Sequence, residues 1–344
     1  MTSTLSAETI LRDSIVVDAH GHMLDMAANS RRRLHESLGG LTDVPLMRAG
    51  GVTAQVTACW MPDVRIGGPH GSRQPFRDLI RMVDYVHREL DGEAGDHVVL
   101  ARTAGDIESA AARSKTALVL GLEGGDALRG EVGRLRELYE AGLRHVCLVH
   151  EGRNAMGTAT QVWEDSTMRV YEPGIDPPGG LSDAGRRIVR EMNRLGMLVD
   201  VTHMVEESFW ETLEVSSAPV VASHGNARSL RDTVRYLTDE QIGAVAETGG
   251  MVCPSPFPLG PTRERPSLEM MLRHVDYMVR LVGPDHVGFG TDFLDQTGAR
   301  PAGFGDVGET PGVVGGLLGL GYGAKEIGKI MGGNFLRVFG RVAG

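Results

Sequence analysis

The chain has 344 residues, 41% hydrophobic and 23% charged, which is the balance of a soluble globular protein able to build a sizeable core. Its net charge of −10 argues against a nucleic-acid partner, because phosphate binding needs clustered Lys and Arg. Cys59, Cys147 and Cys253 are far apart and odd in number, so they predict buried thiols in a reducing compartment, not a disulfide framework.

Met1 to Asp13 has neither a basic nor an apolar leader region, so no secretory signal is predicted. Ser14 to Val17 is a short β-branched run that reads as the first strand and runs into Asp18-Ala19-His20-Gly21-His22. Residues two apart on a strand point the same way, so His20 and His22 project together, with Gly21 letting the backbone bend around what they hold. Two converging imidazoles are a metal-site geometry, although two satisfied polar groups at a strand end explain this pair equally well.

Met23 to Gly50 reads as a loop with short helices, in which Arg31-Arg32-Arg33 is a short solvated cluster. Val52 to Trp60 is the second strand, followed by a Pro/Gly-rich loop through His70 and a helix from Pro75 to Leu90. Ala117 to Leu122 is the third strand, ended by Glu123-Gly124-Gly125. A helix from Val132 to Gly142 precedes the fourth strand, Arg144 to Val149, which runs into His150. Glu151 to Gly180 is irregular and holds Pro173, Pro177 and Pro178, after which Ser182 caps a helix.

Met197 to Val201 is the fifth strand and leads into Thr202-His203. A helix from Glu207 to Val215 precedes the sixth, Ala218 to Ser223, which runs into His224. A helix over Asp239 to Glu247 comes before the seventh, Gly250 to Cys253. An amphipathic helix over Leu268 to Val282 leads to the eighth, His286 to Gly290, which ends in Thr291-Asp292. Helices at Val314 to Leu318 and Ala324 to Phe339 close the chain. No run approaches about 20 apolar residues, so no membrane span and a cytoplasmic protein are expected.

Eight short strands separated by helices predict a parallel α/β sheet, and eight is the number that closes a (β/α)8 TIM-type barrel. The competing open doubly wound sheet lacks its G-x-G-x-x-G after the first strand. No linker divides the chain, so residues 1–344 are expected to form a single domain. In a barrel the strand exits share one face, where active sites are built. Six of the eight exits here carry His, Glu or Asp: His20 with His22, then Glu123, His150, His203, His224 and Asp292. That coincidence favours a metal centre, with Glu123 placed to bridge two ions through its two oxygens. His35, His70, His87, His97, His145, His274 and His286 lack this placement. His145 and His286 sit at strand starts, the stability end of a barrel, and the others read as solvated loop or helix residues.

The sequence resembles the membrane (renal) dipeptidases, peptidase family M19, within the amidohydrolase-type barrels. Matching segments include Val16 to His20, Gly121 to Gly125, Gly180 to Ser182, Asn193 to Gly196, Ala218 to Val220 with Ser223-His224, Val287 to Gly290 with Asp292-Phe293, and Asn334 to Phe339. The resemblance implies two zinc ions per chain, one held by His20 and His22, the other by His203 and His224, with Glu123 as the bridge. It implies that His150 steadies the oxyanion, that Asp292 is the acid/base, and that Arg235 pairs with the substrate carboxylate. Without it, Arg235 reads as a surface arginine among Arg228 and Arg231. A homodimer is also a family expectation.

The family has aspartate where this chain has His22, which removes one negative charge from the site, so a single ion or another divalent metal stays open. Proline-rich Cys253 to Pro258 also departs from the family pattern. The expected activity is zinc-dependent hydrolysis of a dipeptide. The alternatives are an amidohydrolase acting on an N-substituted amino acid, cyclic amide or lactone, or, further off, a decarboxylase on a similar barrel. A silent binding protein on the same barrel is the remaining reading.

Overall fold

The structure, a computed structural model, describes residues 6–29, 32–64, 71–164, 167–177, 179–259, 263–294 and 299–344. Arg31, His70 and Pro178 lie outside the described residues. The β-branched runs form strands β1 (Val17–Gly21), β2 (Ala54–Trp60), β3 (Val98–Leu100), β4 (Thr116–Glu123) and β5 (Leu143–Cys147). A hairpin of β6 (Gln161–Glu164) and β7 (Thr167–Val170) precedes β8 (Leu198–Asp200), β9 (Val220–Ala222) and β10 (Met251–Val252). The main sheet is parallel and runs β1-β2-β4-β5-β8-β9-β10.

The eighth position belongs to residues 287–293, which touch both edges of that sheet. Gly288 N donates to Val252 O at 2.9 Å, and Ala19 N donates to Phe289 O at 2.8 Å. Isolated parallel bridges join Val252 to Val287 and Gly21 to Phe293. The sheet therefore curls back on itself in the order that the eight predicted strands require. The last segment is not a regular strand, and its glycines let it pass close to its neighbours. A Cβ on Gly290 would lie 2.0 Å from Ser223 O, and one on Gly288 would lie 2.6 Å from Cys253 Sγ.

Two elements were not legible in the sequence. Three-residue β3 is too short to show a period; it takes the edge of β4 at Thr116 to Leu118, and β5 takes over at Leu120. The β6–β7 hairpin lies inside the proline-rich stretch that reads as irregular. The predicted single helix from Ala324 to Phe339 is also divided, into Ala324–Gly328, a π-type turn Lys329–Gly333, and Asn334–Ala343. The turn lets Gly332 press against β1, where a Cβ would lie 2.0 Å from Ile15 O.

One apolar cluster joins Val17, Val56, Val119, Leu198, Val221 and Met251 to Phe335, Val338 and Phe339. Because it gathers residues from strands all round the ring, it fills the barrel interior, and the last helix floors it. The larger cluster packs the outer helices on the sheet. Between the helices Val132–Glu140 and Asp183–Leu195, Glu191 meets Arg136 at 2.7 Å and Arg194 at 2.7 Å. Hydrogen bonds from Arg194 and Arg136 hold its carboxyl down to about 2. A depressed carboxylate contributes stability above its unfolded pKa and loses it as pH falls through the folded one. Glu191→Gln should therefore lower stability by about 1 kcal/mol at pH 7, and the gap should close by about pH 2. Urea melts of both proteins at the two pH values measure it, and a gap independent of pH would refute the ion-pair account.

Candidate metal centre

All strands of the ring are parallel, so their C-terminal ends open on one face. Glu123 ends β4 with its side chain only 2% exposed, and the other predicted residues converge on it. Its Oε1 lies 3.3 Å from His20 Nε2, 3.1 Å from His203 Nε2 and 3.4 Å from His224 Nε2. Its Oε2 lies 3.3 Å from His22 Nε2, and His150 Nε2 stands 3.9 Å from Oε1. Asp292 Oδ1 is 3.4 Å from His22 Nε2. Arg235, 4% exposed, places Nη2 3.3 Å from His203 Nε2. All eight predicted site residues thus gather around Glu123, seven of them lining one cavity and His20 fully buried beside them.

The backbone is bent to achieve this. His203 and Asp292 both adopt left-handed backbone, with φ of 68° and 54°. Such strain in non-glycine residues persists only where the surroundings impose it, and it gathers at functional sites. The sheet register also shifts within β1 between Asp18 and Gly21. Gly21 turns out to serve a neighbour: a Cβ there would lie 2.3 Å from Gln55 Nε2. Gln55 Nε2 and the Thr291 hydroxyl donate to Asp18 Oδ2, and Thr291 N donates to Oδ1, which ties β1, β2 and the eighth segment together.

The donor set fits a cation. His203 Nδ1 donates to Gln161 Oε1 at 2.8 Å, an assignment in which Gln161 Nε2 faces Met168 Sδ, so His203 Nε2 carries its lone pair, with Arg235 Nη2 3.3 Å away. That lone pair points at the Glu123 carboxylate and at His224 Nε2, 2.9 Å away. Buried acceptors facing one another repel unless a positive charge lies among them. His20 Nε2 and Glu123 Oε2 have no hydrogen-bond partner although buried, and both turn into the same space. Burial, then Arg235 and His150, hold His203 well below the usual histidine range; burial, then His20 and His203, do the same for His224. Both imidazoles are neutral and ready to ligate. Burial pushes the Glu123 carboxyl up, but the neighbouring imidazoles of His20, His150 and His22 outweigh it and hold the carboxyl well below the usual carboxylate range.

The family model for membrane dipeptidase (peptidase family M19) matches residues 5–344. The chain belongs to the membrane dipeptidase family, M19. It is a metal-dependent hydrolase. It is similar to the solved dipeptidase AC, a metallopeptidase of M19, at 26% identity and TM-score 0.83 over 96% of this chain and 99% of that one. A metallopeptidase from Rhodobacter sphaeroides, solved with a phosphinate mimic of the dipeptide L-Ala-D-Ala, is 25% identical with TM-score 0.82 over 96% and 100%. An amidohydrolase from Pseudomonas aeruginosa shares the fold, with 24% identity and TM-score 0.79 over 98% and 99%.

Within this M19 barrel several contributors were missed by reasoning from strand exits. His145, expected at the stability end, instead turns Nε2 onto Asp200 at 2.9 Å in the barrel interior. Asp200 accepts from Ser223 Oγ at 2.5 Å, and that oxygen lies 3.1 Å from both His20 Nδ1 and His224 Nδ1. Ser223 beside His224 was the available signal; Asp200 gave none. His274, expected to be solvated, is 1% exposed. Burial holds it down to about 4, so its neutral Nδ1 accepts from Ala227 N at 3.1 Å and pins the loop that carries Arg235. Trp60, at the exit of β2, donates from Nε1 to His150 Nδ1 at 3.2 Å.

Proposed function

We propose that the protein is a zinc-dependent dipeptidase acting on small dipeptides with a free C-terminal carboxylate, in a reducing, cytoplasmic setting that suits its three free, buried cysteines. The observation that carries this reading is Arg235, a buried guanidinium that forms no salt bridge among the described residues. A buried cation without an anion is costly, and a substrate carboxylate supplies one. Its two neighbouring arginines are spent elsewhere, Arg228 on Asp232 at 2.7 Å and Arg231 on Pro258 O at 3.2 Å.

His20, His22, Glu123, His203 and His224 would hold two ions. Divalent ions bound there acidify a water molecule and polarise the scissile carbonyl. Trp60 Nε1–H can only donate, so His150 Nδ1 accepts and its proton sits on Nε2, which faces the centre. Glu151 Oε1 lies farther from the same nitrogen, at 3.5 Å, and is the weaker claim on it. His150 Nε2–H is therefore set to donate to an oxyanion, a role worth roughly 3–4 kcal/mol in comparable sites. Asp292, with its side chain 18% exposed at the pocket mouth, carries the proton to the leaving amine. Trp60, Glu151, Gln161, Met168, Leu259 and Leu294 line the rest of a cavity of about 250 Å³, which suits a small substrate.

Release of amino acids from a panel of dipeptides, with zinc and with chelator, tests the activity. Arg235→Met should lower kcat/KM for free dipeptides by about 10²–10³-fold, and C-terminal amides should already be poor substrates of the wild type. Equal hydrolysis of free and amidated dipeptides would remove Arg235 from the reading. Cleavage of a cyclic amide or lactone in place of dipeptides would overturn it.

A further inference from the structure

Among the four candidate ligand imidazoles around Glu123, His22 is held differently. His20 Nδ1 and His224 Nδ1 both rest on the hydroxyl of Ser223 at 3.1 Å, and His203 Nδ1 rests on the amide oxygen of Gln161 at 2.8 Å. Each of those partners is neutral. His22 Nδ1 meets a carboxylate, Asp25 Oδ2, at 3.0 Å, while its Nε2 faces Glu123 Oε2 at 3.3 Å and Asp292 Oδ1 at 3.4 Å. Asp25 is 7% exposed and follows His22 by three residues, in the first turn of the helix Met23–Asn29. Its amide N donates to His22 O at 3.3 Å, so the local backbone sets the pair.

A second buried carboxylate this close to Glu123 is unfavourable in an empty pocket, since like charges in a dry interior repel. Surplus positive charge beyond His22 reverses that balance. Two divalent ions bring four positive charges, and among the described residues only Glu123 and Asp292 offer anionic oxygens in the candidate ligand groups. A carboxylate behind a ligating imidazole fixes its tautomer and orientation and makes the facing nitrogen a stronger donor.

We propose that Asp25 is a positioning residue of the metal centre, supplying through His22 the negative charge that the neutral imidazole lacks. This rests on the reading of His22 as a metal ligand. It follows that an anion placed directly at position 22 makes the charge of Asp25 dispensable.

The test is zinc titration of metal-free protein against a chromophoric chelator, for wild type, Asp25→Asn, His22→Asp and the His22→Asp/Asp25→Asn double variant. Asparagine still accepts a hydrogen bond from Nδ1–H, so Asp25→Asn removes charge while sparing the bond. Asp25→Asn should weaken one ion about 10–100-fold and leave the other unchanged. The double variant should recover most of that loss. Unchanged affinity in Asp25→Asn, or a double variant as weak as Asp25→Asn, overturns the proposal. Should Asp25→Asn fail to fold, proton spectra of the zinc-loaded wild type decide. A slowly exchanging, far-downfield His22 Nδ1–H, missing from His22→Asp, supports the proposal, and its absence from the wild type overturns it. Wild type that binds no zinc overturns the functional reading and this inference with it, whereas normal wild-type binding with an unaffected Asp25→Asn overturns this inference alone.

Discussion

Glu123→Ala protein is expected to be purified with less than about a tenth of the wild-type metal and to show no measurable dipeptidase activity, because Glu123 is the one group that faces every other candidate ligand. Its Oε1 is within 3.4 Å of His20, His203 and His224, and its Oε2 is 3.3 Å from His22. Without it, four imidazoles would surround doubly charged ions in a dry pocket with no central anion. Water filling the vacated space would bring no charge to replace the carboxylate. Glu123→Gln separates two contributions, since the amide keeps one acceptor oxygen but carries no charge. Metal content by atomic absorption, with circular dichroism to confirm the fold, measures both. Full metal stoichiometry in Glu123→Ala would place the ions elsewhere.

Asp292→Asn should behave in the opposite way, keeping its metal while kcat falls by about 10²–10⁴-fold. The substitution is chosen for its backbone. Asp292 has φ of 54°, and asparagine tolerates that left-handed conformation where alanine is strained. The hydrogen bond from Asp292 N to His20 O at 2.9 Å survives, so the strand exit stays in place. What is lost is the ability to take up and release a proton beside His22. Because Asp292 also stands in one candidate ligand group with His20 and His22, metal content is measured together with kcat. Metal lost in proportion to activity would make Asp292 a ligand, and unchanged kcat would remove it from the proton path.

The strand exits were legible because a buried parallel strand is a short apolar run and its last residues are the first free to be polar. That logic found Glu123, His150, His203, His224 and Asp292 from the ends of five separate runs. It failed where the run was too short, as in β3, or where prolines masked a hairpin, as in β6–β7, which carries Gln161 to His203. It also failed for groups behind the candidate ligands. Asp200 is 55 residues from His145 and 23 from Ser223, and no local spacing joins them.

The sequence by itself determined the donor chemistry and the face on which it collects, since a parallel barrel puts all its strand ends on one side. Tertiary structure alone decided which atoms of those residues face inward. Trp60 comes from another strand to set the tautomer of His150, and Ser223 orients two imidazoles at once. It also chose among Arg228, Arg231 and Arg235, which are alike in sequence. The loop pinned by His274 buries the third beside His203 and leaves the first on the surface with Asp232. Burial and partnership depend on contacts between distant segments, and a residue's type and spacing do not carry them.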